Sequence, residues 1–299
     1  MKKHRDHMNN PKTVLVTGAT SGIGLAMVYW LVEHRPQDRL VLSARPSDTL
    51  DALKRQIDSM TGRDTVIIGV DLSEPDAARQ VRDQLKANGV DIDILINNAG
   101  FGDCHWFAEE RDETIEDMVA VNQTAPTMLT KVLLPQIVRR RGAILFTGST
   151  GAYQPGPYTA VYYASKSYIR SLALALHHEL KPLDVSVTLV NPGATKTRFA
   201  ESAGRATAPN AMSPDAVAAA ALKALYRRKL YVTPGLQNKF AIFFSKIMPG
   251  RFTGFLVKKI QTGLSRTAKA DMQRLIEEAR EVAALPRGDD RARLEPPAY

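Results

Sequence analysis

Seven short apolar runs alternate with amphipathic stretches along most of this chain, and that alternation restricts the fold more than any other feature. The runs are "TVLVTG" (13–18), "RLVLSA" (39–44), "TVIIGVD" (65–71), "IDILINNAG" (92–100), "GAILFTGS" (142–149), "VSVTLVNPG" (185–193) and "LYVTPG" (230–235). They are rich in Val, Ile and Leu and apolar at successive positions, as strands covered on both faces must be. Between them, "LAMVYWLVEH", "PDAARQVRDQLKAN", "TIEDMVAVNQTAPTMLTKVLLPQIV" and "PDAVAAAALKALYRR" carry apolar residues at helical spacing. The repeat predicts an α/β fold, a doubly wound, mostly parallel seven-stranded sheet with helices on both faces. No short-period repeat or low-complexity linker interrupts residues 13–235, which read as one domain.

The two ends differ from this body. Residues 1–12 form a basic leader, expected to be solvated, followed directly by the first strand and not by an apolar signal core. His4 and His7 there read as part of a polar tail. Residues 236–285 are expected to form a helical extension. Its first part, "LQNKFAIFFSKIMPGRFTGFLVKKI", is apolar and basic and is broken at Pro249-Gly250; a further helix is expected in "TAKADMQRLIEEAREVAAL". Residues 286–299, rich in proline and charge, read as a flexible tail.

No apolar run approaches the roughly 20 residues that span a bilayer. Cys104 is the only cysteine, so an intrachain disulfide is excluded, nothing resembles a structural zinc set, and a reducing cytoplasmic setting is expected. The formal net charge of +9 is uneven: Lys239, Lys246, Arg251, Lys258, Lys259, Arg266 and Lys269 share a stretch without a single acid. Such a face attracts phosphate-bearing partners or an anionic membrane surface. With no base-reading motif present, nucleic acid is not an expected partner, and no metal site is expected.

"TGATSGIG" (17–24) ends the first strand and opens a helix. Glycines there let the backbone turn tightly against a pyrophosphate, and the helix N-terminus supplies free N–H groups and partial positive charge. The spacing is Gly-x-x-x-Gly-x-Gly, unlike the commoner Gly-x-Gly-x-x-Gly. At the end of the second strand an acid holds the ribose of NAD, whereas a cation suits the extra phosphate of NADP. This chain has Ser43, Ala44 and then Arg45, whose guanidinium matches a phosphate. NADP(H) is the preferred expectation; Asp48, slightly further on, keeps NAD(H) open.

In "TAVYYASKSYIRSLALALHHEL", a helix would set Tyr162 and Lys166 on one face, four residues apart, with Tyr163 turned aside but not excluded. An ammonium beside a phenol favours the phenolate and lowers a pKa otherwise about 10, so the tyrosine can exchange a proton with an alcohol or carbonyl near neutral pH.

Taken in order, "TGATSGIG", "NNAG" (97–100), "STGAYQPGPYTAVYYASK" (149–166) and "NPGATKT" (191–197) closely resemble the short-chain dehydrogenase/reductase family over roughly residues 13–235. The resemblance implies a Rossmann-like fold and a nicotinamide-dependent oxidoreductase. It places the catalytic tyrosine four before a lysine and thirteen after a serine, which selects Tyr162, Lys166 and Ser149. Tyr163 is then expected to pack or line the site. Ser149 would bond the substrate oxygen, Lys166 would also hold the nicotinamide ribose, and Asn122 would support a water-linked proton relay. Gly18, Thr20, Ser21, Gly22, Ile23 and Gly24 would cradle the pyrophosphate, and Asp71 and Leu72 would meet adenine. Asn98, Ala99 and Gly100 would lie beneath the ribose; Pro192, Gly193, Thr195 and Thr197 would grip the carboxamide. Two departures stand out: glycine at 148, where many relatives have serine, and Ser21, where many NADP users have a cation.

Substrate choice is expected from the loop "RFAESAGRATAPNAMSP" (198–214), read as a mobile lid, from "FGDCHWFAEE", and from the C-terminal segment. Cys104, His105 and Trp106 are candidates for substrate contact and equally for local packing. The apolar, basic segment leaves three readings open: a lid over a greasy pocket, a subunit contact, or peripheral membrane contact through residues 236–270. A hydrophobic carbonyl or alcohol is the expected substrate, and a homo-oligomer, dimer or tetramer, the expected assembly. The rivals are a membrane-associated lipid-chain ketone reductase and a non-enzymatic NADP(H)-binding redox sensor.

Overall fold

The computed structural model describes residue 8, residues 10–204 and 206–264, and residues 273, 274, 276, 277 and 280. All seven expected strands form, β2 over its whole run and the other six shorter than theirs: β1 Thr13–Thr17, β2 Arg39–Ala44, β3 Val66–Gly69, β4 Ile94–Asn97, β5 Ala143–Thr147, β6 Ser186–Val190 and β7 Tyr231–Val232. They make one fully parallel sheet in the order β3-β2-β1-β4-β5-β6-β7. The difference in length has a simple cause. The glycine- and asparagine-rich ends of the runs ("TG", "NNAG", "TGS", "NPG") leave the sheet and become the turns at its C-terminal edge.

The helices are α1 Gly22–His34, α2 Asp48–Thr61, α3 Ala77–Ala87, α4 Asp112–Val119, α5 Ala125–Arg139, α6 Ala160–Leu180, α7 Phe199–Ser202, α8 Pro214–Tyr226, α9 Leu236–Ile247 and α10 Gly250–Leu264. Alternate side chains of each strand divide the core. Leu15, Leu95, Ile144 and Phe146 pack under α3, α5 and α6. Val14, Val16, Leu42, Ile94, Ile96 and Leu145 pack under α1, α2 and α8. Two-sided burial is why these strands lack a polar alternation.

The strand order reverses between β1 and β4, and in such sheets that reversal opens a crevice beyond the strand ends. Thr17 closes its floor: Oγ1 accepts the amides of Asn98 and Ala99, and the Asn98 side chain donates back to the Thr17 carbonyl oxygen at 3.1 Å.

Three expectations need correction. The long amphipathic stretch after β4 is not one α-helix, because Ala120–Thr124 adopts a π-helical turn between α4 and α5. The leader is not solvated throughout: Met8 and Lys12 are buried, and Arg35 donates to the carbonyl oxygens of Met8 and Asn10. Met8 can close the core beside α1, whereas the residues before it, His4 and His7 included, lie outside the described residues. The segment after β7 does break at Pro249, but the greasy-lid reading fails. Phe240, Phe243, Ile247 and Phe255 are at least 63% exposed and point away from the body. The helix expected over "TAKADMQRLIEEAREVAAL" and the tail from 286 lie largely or wholly outside the described residues. Among those described, no helix is long and apolar enough to cross a membrane.

Candidate active site

At the reversal, β1 runs into a tight turn in which Gly18 and Gly22 take φ of 66° and 55°, a region that side chains with a Cβ disfavour. Gly24 is constrained by proximity, since a Cβ there would collide with the Gly18 carbonyl oxygen. Ser21 caps α1 without a side-chain hydrogen bond, which leaves the first-turn amides to an anion.

A cavity of about 530 Å³ runs from this turn to α6. Gly18, Ser21, Gly22, Ile23, Arg45, Asn98, Ala99, Gly100, Ser149, Tyr162, Lys166, Pro192, Gly193, Thr195 and Thr197 all line it. Thr20, Gly24, Asp71 and Leu72 do not. Gly24 acts behind the wall by allowing α1 to approach the turn. The Asp71 carboxylate is taken up by the amide and hydroxyl of Ser73. Arg45 reaches the cavity lining and Asp48, in the first turn of α2, does not. The size of the cavity, its glycine-lined floor and its unpaired helix N-terminus fit a dinucleotide.

Lys166 is buried on α6, its ammonium 3.0 Å from the Thr147 carbonyl oxygen and 5.7 Å from the centre of the Tyr162 ring. Desolvation lowers its pKa from 10.5 to about 8. Ser149 starts the 3₁₀ turn Thr150–Tyr153, its Oγ accepting the Gly151 amide at 3.0 Å. Gly148 fits tight packing: a Cβ would stand 2.7 Å from Asn191 Oδ1 and 3.0 Å from Leu189 Cδ1, so a serine there would have to push the Asn191 side chain aside.

Asn122 sits inside the π turn, where the added residue swings it toward the strand-end loop. Its Oδ1 accepts the Phe101 amide, while its Nδ2 donates to the Phe101 carbonyl oxygen at 2.8 Å and to Ser165 Oγ at 3.1 Å. Both amide protons are thus committed to protein atoms, and its side chain is a clamp on the 98–101 turn. Ser165 passes the contact on, donating to the Tyr162 carbonyl oxygen at 2.7 Å. Sequence reasoning overlooked Ser165. The signal was a small hydroxyl three residues after Tyr162, the spacing at which a serine bonds back to its own helix. It also overlooked Phe199, whose ring lies 5.1 Å from that of Tyr162.

Tyr163 packs against Gly151 and Gly156, and its hydroxyl accepts from Gln261 of α10 at 3.2 Å. Cys104 is wholly buried against Tyr158 and Trp106, and His105 pairs with Asp103 at 3.4 Å; none of Cys104, His105 and Trp106 lines the cavity.

The buried ammonium carries a stability signature in the protein without cofactor. As pH rises from about 8 to 10.5, folded Lys166 sheds its proton while the unfolded chain keeps it, so stability rises with pH over that window. The melting temperature of wild type minus that of Lys166→Met is expected to climb across this interval and to stay flat below it. The full swing is on the order of 3 kcal/mol. A difference that stays level up to pH 10.5 would show that the ammonium is not desolvated.

The family model for short chain dehydrogenases matches residues 12–208. Dehydrogenase/reductase SDR family member 7B of Xenopus tropicalis is 28% identical over 263 residues, 82% of this chain and 84% of that protein. The very-long-chain 3-oxoacyl-CoA reductase of Kluyveromyces lactis is 33% identical over 186 residues, 59% of this chain and 53% of that protein. Among solved structures, a short-chain dehydrogenase from Sphingobium yanoikuyae in complex with NADPH superimposes with a TM-score of 0.70 at 34% identity, covering 75% of this chain and 88% of the other. The motifs, the strand order, the crevice and the matched residues agree: this chain belongs to the short-chain dehydrogenase family and is an NAD(P)-binding oxidoreductase acting on CH–OH groups.

Proposed function

We propose that the enzyme is an NADP(H)-dependent reductase or dehydrogenase that interconverts a carbonyl and an alcohol on a hydrophobic substrate. One observation carries the reading: Ser149, Tyr162 and Lys166 line the same cavity as the glycine turn and Arg45. The nicotinamide, when bound, gives or takes the hydride.

The chain's own residues handle the proton and the geometry. Ser149 Oγ donates to the substrate oxygen and steadies the negative charge that grows there. The Tyr162 hydroxyl hands its proton to that oxygen in reduction and recovers it in oxidation. The Lys166 ammonium favours the phenolate by Coulombic attraction in a site with little water and holds the nicotinamide ribose. Asn122, through Phe101 and Ser165, fixes both the turn below the cofactor and the helix bearing Tyr162. Arg45 provides the fork for the additional phosphate of NADP.

Phe101, Tyr163, Phe199 and Ala200, which line the same cavity as Tyr162, support an apolar substrate. The similarity to a yeast reductase of very-long-chain 3-oxoacyl-CoA points the same way. NADPH consumption with a panel of ketones and aldehydes tests the reading. Lipophilic carbonyls are expected to turn over, with small polar sugars far slower; the reverse order would remove the hydrophobic assignment. In the same assay Arg45→Asp is expected to lower the NADPH/NADH preference by about tenfold or more, as a phosphate fork becomes a repelling carboxylate. An unchanged ratio would remove Arg45 from cofactor selection.

A further inference from the structure

Helices α9 and α10 are amphipathic the wrong way round for water. Their buried positions are Asn238, Ile242, Thr253, Val257 and Gln261, three of the five polar. Those polar groups are used: Asn238 donates to the Pro234 carbonyl oxygen at 2.7 Å and Gln261 to the Tyr163 hydroxyl. Ser245, beside them, donates to Gln154 Oε1 at 2.6 Å. The opposite side of α9 carries Leu236, Phe240, Phe243, Phe244 and Ile247, spaced to form one stripe, all exposed. On α10 the stripe continues through Phe252, Phe255, Leu256 and Ile260, also exposed. A contiguous apolar face of this size on a folded body calls for an apolar partner.

The charges say which partner. Lys239, Lys246, Arg251, Lys258 and Lys259 stand exposed on or beside the stripe, and the chain has no carboxylate between Asp215 and Asp271. A second copy of the same face would set these cations against one another across a two-fold axis with no local acid to neutralise them. An anionic bilayer satisfies both features at once: the rings enter the acyl boundary, and the long basic side chains lie along it with their heads among phosphates.

We infer that α9 and α10 together form a docking surface for the face of an anionic lipid bilayer, lying on the membrane and not crossing it. The inference does not depend on the proposed substrate.

The test is flotation of the full chain with vesicles of phosphatidylcholine alone and of equal parts phosphatidylcholine and phosphatidylserine. Bound protein on the anionic vesicles is expected to exceed that on neutral ones by about tenfold or more and to fall as salt is raised. Phe240→Ser/Phe243→Ser/Phe255→Ser and, separately, Lys239→Glu/Lys258→Glu/Lys259→Glu are each expected to cut anionic binding about tenfold or more. Both variants should retain NADPH binding, since none of these side chains lines the cavity. The inference is overturned if wild type stays with the vesicle-free fraction, or floats equally on both compositions. It is also overturned if sedimentation shows a dimer that the phenylalanine variant splits, which would make the face a subunit contact.

Discussion

Tyr162→Phe is expected to lower kcat by about 10²- to 10⁴-fold, the usual contribution of a positioned proton donor, and to leave the dissociation constant for NADPH within about threefold. The ring keeps its packing against Phe199, so the substitution removes one hydroxyl and little else. Stopped-flow turnover beside fluorescence titration of NADPH separates the two effects. A redox sensor predicts a different pattern, because its output would survive loss of the hydroxyl. Retention of full turnover would transfer the proton role away from Tyr162 altogether. Tyr163→Phe is the matched control. Its hydroxyl faces Gln261, so turnover should change far less than at the neighbouring position.

Gly24→Ala is expected to weaken NADPH binding by about a hundredfold and to lower the melting temperature by several degrees. The added methyl meets the Gly18 carbonyl oxygen, a backbone atom that cannot swing aside, and the Asn98 side-chain amide nitrogen beside it. Overpacking of this kind costs about 1–3 kcal/mol, which in a domain of this size corresponds to a few degrees for each kcal/mol. The larger loss falls on the cofactor, because relief requires α1 to retreat from the turn whose amides would hold the pyrophosphate. Isothermal titration and a thermal melt on the same sample give both numbers. Unaltered affinity would mean that the turn tolerates displacement and that the cradle is not built by close approach.

The sheet, its parallel sense and the crevice were legible in the sequence because each depends on local pattern: two-sided apolar strands, helical spacing and glycine at the turns. Tyr162 and Lys166 could be paired by helical spacing, but Ser149 joined them only through the family resemblance; all three line one cavity. What escaped depends on contacts between distant segments. No periodicity announces that Ala120–Thr124 widens by a residue, since the apolar pattern of "TIEDMVAVNQTAPTMLTKVLLPQIV" fits a plain helix equally well; the widening answers to Phe101, on another loop. The contact of Ser165 with Asn122 was hidden for the same reason, whereas its bond back to Tyr162 lies within its own helix. The C-terminal segment revealed its composition but not its orientation. Nine large apolar side chains facing outward is a decision made by Asn238, Thr253 and Gln261 facing inward, and a hydropathy reading ranks those polar residues below the phenylalanines for burial.

The leaning of Phe199 on Tyr162 has a historical consequence. On the proposed mechanism, proton handling resides in Tyr162 and the buried Lys166 on the long helix α6, whereas the aromatic that leans on the Tyr162 ring belongs to the four-residue helix α7. On that mechanism, inherited changes around α7 can redraw which molecules are accepted while the α6 pair passes unaltered from one descendant to the next. Diversification of preferences within such a lineage therefore requires no reinvention of the chemistry.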